Sequence, residues 1–215
     1  MIAMIFETSD LEPNDIYRLL VGGISPRPIA WISTLSADGV ANIAPYSFFN
    51  VASCNPPILW YSQVNPRNGQ DKDTIRNLMD TRECVVHIVN SQLLEQMNLS
   101  CALLPAAQSE FEFAEIESEP SHSVAALSVK HAPIRYECQL REVLQLSTLP
   151  SGGTVALLDV KAIYVDDRLW DGQMIDQQHL DSVGKMGGDF YSLSTDLRKL
   201  SRPVVTPADE PKKGG

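Results

Sequence analysis

The sequence predicts a mainly β protein with a few helices, built as a closed or split antiparallel barrel. Three observations carry that expectation. Residues 134–146 alternate, with Ile134, Tyr136, Cys138, Leu140, Leu144 and Leu146 on one face and Arg135, Glu137, Gln139 and Arg141 on the other. That is the pattern of a half-solvated antiparallel strand. Ser151-Gly152-Gly153 then turns the chain into residues 155–166, which completes a long hairpin. Other strand-like runs follow no βαβ rhythm and no Gly-x-Gly-x-x-Gly occurs, which argues against a doubly wound parallel sheet.

Taken in order, residues 14–20 predict a short helix with Ile16, Leu19 and Leu20 on one face, ended by Gly22-Gly23. Residues 29–36 are rich in strand formers, Ala37-Asp38-Gly39 makes a turn, and residues 40–44 return as a second strand. A third strand, 58–63, follows Pro56-Pro57. Pro45 and the paired prolines cannot donate to a ladder, so residues 46–55 are expected to form a stiff excursion at the sheet's rim. After a polar loop over 64–70, a helix is predicted over 73–80, with Ile75, Leu78 and Met79 inward and an aspartate as cap. Residues 83–90 contain Cys-Val-Val-His-Ile-Val and predict a strand buried on both faces. Ser91 is expected to cap a helix through about residue 103, its stripe being Leu93, Leu94, Met97 and Cys101. Residues 105–133 are irregular, with Phe111 and Phe113 anchoring an acidic loop. Residues 1–203 are expected to be one domain and residues 204–215, rich in proline and charge, a flexible tail.

A chain of 215 residues can build one substantial core. Lys and Arg number 17 against 27 Asp and Glu, a net charge of −10 that argues against nucleic acid or an anionic membrane as partner. No apolar run is long enough to span a bilayer and no basic leader is evident, so a cytoplasmic location is expected. Cys54, Cys84, Cys101 and Cys138 form no C-x-x-C pair, and the expectation is buried free thiols in a reducing compartment. The four histidines lie far apart, and no metal site is expected. No Ser-His-Asp order or nucleophile elbow is present, and no side chain stands out as a catalytic acid or base.

Two stretches carry candidate chemistry. The helix beginning near Asp73 offers unpaired amides and the positive end of its dipole to an anion, with Lys72 as a cation, Thr74 as a hydroxyl and Arg67 within reach. An ordinary capped surface helix would show the same residues. An acidic protein that binds an anion must gather its cations locally, and Arg27, Arg67, Lys72 and Arg76 are the candidates in the first half. The second stretch is Ser47-Phe48-Phe49-Asn50. A rim loop exposing backbone amides beside two phenylalanines suits a flat, hydrogen-bonding ligand; alternatively Phe48 and Phe49 plug the end of the barrel.

Several segments together resemble the flavin reductase-like, FMN-binding split-barrel family. They are Pro-Arg-Pro-Ile-Ala-Trp-Ile-Ser-Thr at 26–34, Asn-Ile-Ala-Pro-Tyr-Ser-Phe-Phe-Asn at 42–50 and Pro-Pro at 56–57, then Lys-Asp-Thr at 72–74, Met-Asn-Leu-Ser at 97–100 and Gly-Gly-Asp-Phe-Tyr at 187–191. Their order and spacing agree over residues 16–203, although Ser100 stands where Thr is commoner. The resemblance implies a split barrel that binds FMN, with FAD as an alternative. Lys72 and Thr74 would then help hold the phosphate, and Asp73 would cap its helix. Ser47, Phe48, Phe49 and Asn50 would meet the ring system. Ser33 and Thr34 would meet the ribityl chain or the phosphate, Ser62 and Gln63 would lie near the ribityl chain, and Asn98, Gly187, Gly188 and Tyr191 near the flavin or an adjacent subunit. The implied activity is hydride transfer from NADH or NADPH to flavin in a homodimer, with a monooxygenase or another electron acceptor downstream. An electron carrier with tightly held FMN and a flavin-binding or storage protein are the rivals.

Overall fold

The computed structural model describes residues 4–66, 72–194 and 196–203. Along the chain lie α1 (Pro13–Gly23), β1 (Arg27–Pro28), β2 (Ala30–Leu35), β3 (Ala41–Tyr46), β4 (Phe49–Cys54), β5 (Pro57–Val64) and α2 (Asp73–Thr81). They are followed by β6 (Glu83–Ile88), α3 (Leu94–Leu99), α4 (Glu110–Phe113), β7 (Ser118–Glu119), β8 (Ser128–Val129), β9 (Ile134–Gln145) and β10 (Gly153–Val165). The last elements are α5 (Gln177–Leu180), β11 (Val183–Lys185) and β12 (Tyr191–Leu193).

The expected antiparallel barrel forms. Seven strands run in the order β3-β2-β6-β9-β10-β5-β4. The two edge strands, β3 and β4, are therefore consecutive in the chain, and the seam of the barrel lies at the Ser47–Phe48 corner that joins them. The long hairpin pairs β9 with β10 from Ile134↔Val165 to Gln145↔Thr154. Inside the barrel pack Ile32, Tyr46, Phe49, Leu59, Tyr61, Val86, Cys138 and Leu158. A second cluster, including Trp31, Ile43, Met97, Phe111 and Val129, lies where α3, α4 and the 114–132 segment cover the outer face of β2 and β3. Burying each such side chain contributes about 1.5–3 kcal/mol.

Residues 46–55 depart from expectation. They are not an excursion: Phe49–Cys54 is a full strand, paired with β5 from Phe49↔Tyr61 to Cys54↔Pro57. Pro45 sits within β3, which tolerates it because an edge strand has one side free of ladder bonds. The long hairpin differs too, since Arg135 and Glu137 are buried. The irregular segment before β9 folds back over that face: Arg135 pairs with Glu119, and Glu137 accepts from the His122 and Ser123 amides. Leu144 and Leu146 are exposed instead.

The helices differ at their margins. α1 runs through Gly22-Gly23 and buries only Val21, leaving Leu19 and Leu20 in solvent. Met79 is exposed on α2, and Asp73 pairs with Arg76 rather than capping the helix. Asn90, not Ser91, caps the turn before α3 by accepting from the Leu93 amide. Phe113 is exposed while Phe111 is buried. Only Cys84 and Cys138 are buried thiols; Cys54 and Cys101 are exposed. The tail over 204–215 lies outside the described residues.

Candidate flavin site

Arg27 organises the corner. Its buried guanidinium donates to the carbonyls of Val21 and Ile24 at the end of α1, to the Met186 carbonyl (3.1 Å), and through Nε to Ser47 Oγ (3.2 Å). The last carbonyls of a helix lack intrahelical partners and carry the negative end of its dipole, so a cation is stable there. One side chain thereby joins α1, the β3–β4 corner and a small sheet ordered β1-β11-β12. That sheet packs tightly at Gly184, where a Cβ would lie 2.6 Å from Pro26 Cβ and 2.7 Å from Ser192 Oγ. Gly188, at φ +59°, then turns the chain from β11 towards β12.

The corner, the small sheet and the end of α3 enclose a cleft of ≈130 Å³. Ile29, Pro45 and Met97 form its apolar wall; Tyr46, Ser47, Cys101, Lys185 and Tyr191 supply polar groups. Lys185 Nζ stands 4.2 Å from the centre of the Tyr191 ring and donates to the carbonyls of Gly188 and Phe190. The Tyr191 hydroxyl donates to Asn98 Oδ1 at 3.1 Å. Lys72, at the N-cap of α2, lies with Nζ 5.4 Å from the centre of the Tyr46 ring. Desolvation lowers the pKa of both ammonium groups. Burial raises that of the Cys101 thiol, and the two ammonium groups oppose the rise. Lys72 itself makes no capping hydrogen bond, and the start of α2 carries the positive end of its dipole. Beside the Gly187-Gly188 turn, a larger groove of ≈400 Å³ is lined by Asn14, Tyr17, Arg18 and Val21 of α1.

Behind the cleft lies a buried polar network. Asn42 Oδ1 accepts from Thr34 Oγ1 (3.3 Å) and Thr74 Oγ1 (3.0 Å), and Asn42 Nδ2 donates to Glu110 Oε2 (2.9 Å). The same carboxylate oxygen accepts from the Ile43 amide, and Asn77 Nδ2 donates to Thr34 Oγ1. The Tyr46 phenol lies beside Thr74, and burial pushes its pKa far up. His87 is sealed elsewhere. Nδ1–H donates to the Trp31 carbonyl (2.8 Å), Nε2 accepts from the Val129 amide (2.9 Å), and burial brings its pKa down to about 3.

This geometry sits in a chain whose residues 22–179 match the family described as "Flavin reductase like domain". The chain belongs to the flavin reductase-like family. A protein of Aquifex aeolicus, described as uncharacterized, is 35% identical over 189 residues, 87% of this chain and 94% of that relative. Among solved structures, nitrilotriacetate monooxygenase component B from Bacillus cereus superposes with a TM-score of 0.88 at 30% identity, covering 93% of this chain and all of that one. The 2-nitrobenzoate 2-nitroreductase NbaA of Pseudomonas fluorescens gives a TM-score of 0.85 at 27% identity, covering 95% and 98%. This flavin reductase-like chain is thus a split barrel with oxidoreductases among its neighbours.

The fold brings together Arg27, Ser47, Lys72, Asn98, Gly187, Gly188 and Tyr191 around the cleft and its margins. It draws others away. Ser33 is fully buried and donates to the Leu127 carbonyl on the outer side of β2, and Thr34 and Thr74 are committed to the network. Phe49 is core, whereas Phe48 is half-buried against Tyr17, with ring centres 6.4 Å apart. Asn50 is exposed, its side chain turned onto the Val51 amide. Ser62 is half-buried; Gln63 is 2% exposed, and its Oε1 has no partner among the described residues. Arg67 lies outside the described residues. Lys185 and Cys101 were missed as cleft residues. A lysine on the strand before Gly-Gly is the available signal for the first; the second belongs to the stripe expected to be buried.

A flavin fits this donor set. The start of α2 and two ammonium groups suit a phosphate, and the tyrosine rings suit an aromatic system.

Proposed function

We propose that this protein is an NAD(P)H-dependent flavin reductase that binds FMN at the seam of the barrel. The observation that carries the reading is the convergence of a helix start, two ammonium groups and two tyrosines on one corner. Lys72 and the start of α2 bind the phosphate, and Tyr46, Ser47 and Tyr191 border the ring. Arg27 binds no phosphate in this reading, because protein acceptors already use its donors, and it acts by orienting Ser47. The bound flavin supplies hydride chemistry at N5, and the protein supplies orientation and exclusion of water.

The donor is a reduced nicotinamide nucleotide, NADH or NADPH. Reduced flavin passes to a monooxygenase or another acceptor, and the resemblance to a monooxygenase component B supports that assignment. We also propose a cytoplasmic homodimer. Four free cysteines support a reducing compartment, and exposed Leu19, Leu20, Ile24, Phe190 and Leu193 supply apolar surface for a second copy.

The test is a visible spectrum of the purified protein, repeated anaerobically with NADH and with NADPH. Flavin absorption that bleaches with one nucleotide supports the reductase and names its donor. Bleaching only with dithionite replaces it with an electron carrier. A protein that is colourless and takes up neither FMN nor FAD removes the flavin reading.

A further inference from the structure

We infer that Glu110, which does not line the cleft, is a positioning residue that sets the register between the phosphate-binding end of α2 and the ring-binding corner, acting through Asn42. The inference rests on the flavin reading above and deepens it. A side-chain amide can be turned end for end, and Asn42 must present its oxygen to two hydroxyls, Thr34 and Thr74. Its other end meets Glu110 Oε2 at 2.9 Å. A carboxylate can only accept, so the reversed amide would set oxygen against oxygen in a buried site. Glu110 therefore locks Asn42 in the one orientation that serves Thr74.

The lock has leverage because of where its two ends sit. Thr74 is the second residue of α2, at the positive end of the helix dipole, and Asn77 fastens the same face one turn later through Thr34. Asn42 lies on β3, four residues before Tyr46 at the cleft, and Glu110 also accepts from the neighbouring Ile43 amide. The carboxylate thus fixes one strand and one helix against each other. Without it, Asn42 Nδ2 and the Ile43 amide are left buried without that acceptor, and the amide is free to reverse.

The experiment compares FMN with riboflavin, which lacks the phosphate. Dissociation constants for both are measured for wild type, Glu110→Ala, Glu110→Gln, Asn42→Ala and the double variant, with melting temperatures alongside. Glu110→Ala is expected to weaken FMN about tenfold and riboflavin less than about twofold, because only the phosphate end is displaced. Glu110→Gln keeps an acceptor at the lock and is expected to restore FMN affinity to within about threefold of wild type. Asn42→Ala, which leaves Glu110 bonded to Ile43, is expected to repeat the FMN-selective loss, and adding Glu110→Ala to it to produce no more. Equal losses for both flavins, no loss, or additive losses in the double variant overturn the inference while leaving the flavin site standing. If Glu110→Ala does not fold, Asn42→Ala alone decides through its FMN-to-riboflavin ratio. A wild-type protein that binds neither flavin overturns the flavin reading and this inference with it.

Discussion

Two polar clusters lie on either side of β3, and they are built on opposite terms. In the interior network of Thr34, Asn42, Thr74, Asn77 and Glu110, donors meet acceptors and the side chains are almost wholly buried. In the cleft, two ammonium groups stand near aromatic rings, and Lys72 at the start of α2 makes no capping bond of its own. The residue types overlap; what differs is spare hydrogen-bonding capacity. Satisfied polar groups hold a scaffold, whereas unsatisfied ones have capacity to give to a ligand.

The largest expected effect breaks the scaffold on which the cleft depends. Arg27→Ala removes the shared donor of α1, the corner and the small sheet, and should cost about 3 kcal/mol. In thermal unfolding that is a drop of roughly 6–12 °C for a chain of this size. Next comes Lys72→Ala. It should weaken FMN about tenfold, more at low salt than at high salt, with the melting temperature moving by no more than about 1 °C. If both substitutions alter stability equally, the division between scaffold and cleft is wrong.

Ser33→Ala sharpens the division from the other side. It deletes the hydroxyl bond to Leu127, should cost about 1 kcal/mol in denaturant unfolding, and should leave the FMN dissociation constant unchanged. A loss of FMN affinity there would return Ser33 to the ligand.

The smallest effects are in pH dependence, where two buried groups have opposite signs. The folded state depresses the His87 pKa to about 3, so its contribution is complete above the unfolded value near 6.5 and disappears as pH falls towards 3. Desolvation raises the Glu110 pKa, so its contribution is complete below the unfolded value and is lost as pH rises through the folded one. Melting temperatures of His87→Gln and Glu110→Gln against wild type, taken from pH 4 to pH 8, read this directly. The gap between His87→Gln and wild type should narrow on acidification. Glu110→Gln should gain relative to wild type as pH rises.

Much of the barrel was legible because a period of two is a local signal. β9, β10, β2 and β5 declared themselves through alternation or through β-branched runs between turns. What misled was non-local. Pro45 and Pro56-Pro57 read as breaks because sequence does not reveal which strand will be an edge, and β4 was hidden behind them. Arg135 and Glu137 read as solvated because their partners, Glu119 and the amides of His122 and Ser123, come from an irregular stretch with no period at all. At the site, motif residues were legible as a set but not as roles. Thr34 and Thr74 have the chemistry of ligand contacts, and only the position of Asn42 across from them assigns both hydroxyls inward.

The seam has a consequence for the protein's behaviour in a crowded solution. A sheet that begins and ends on consecutive strands leaves two rows of backbone groups without ladder partners, a template on which another chain could grow. Both rows are interrupted. Pro45 removes a donor from β3, and the register of β4 shifts between Val51 and Ser53 before the chain reaches Pro56 and Pro57. Pro45, which obscures its strand in the sequence, and the irregularity of β4 thus guard against edge-to-edge aggregation, and they let a barrel remain open at one corner without becoming adhesive there.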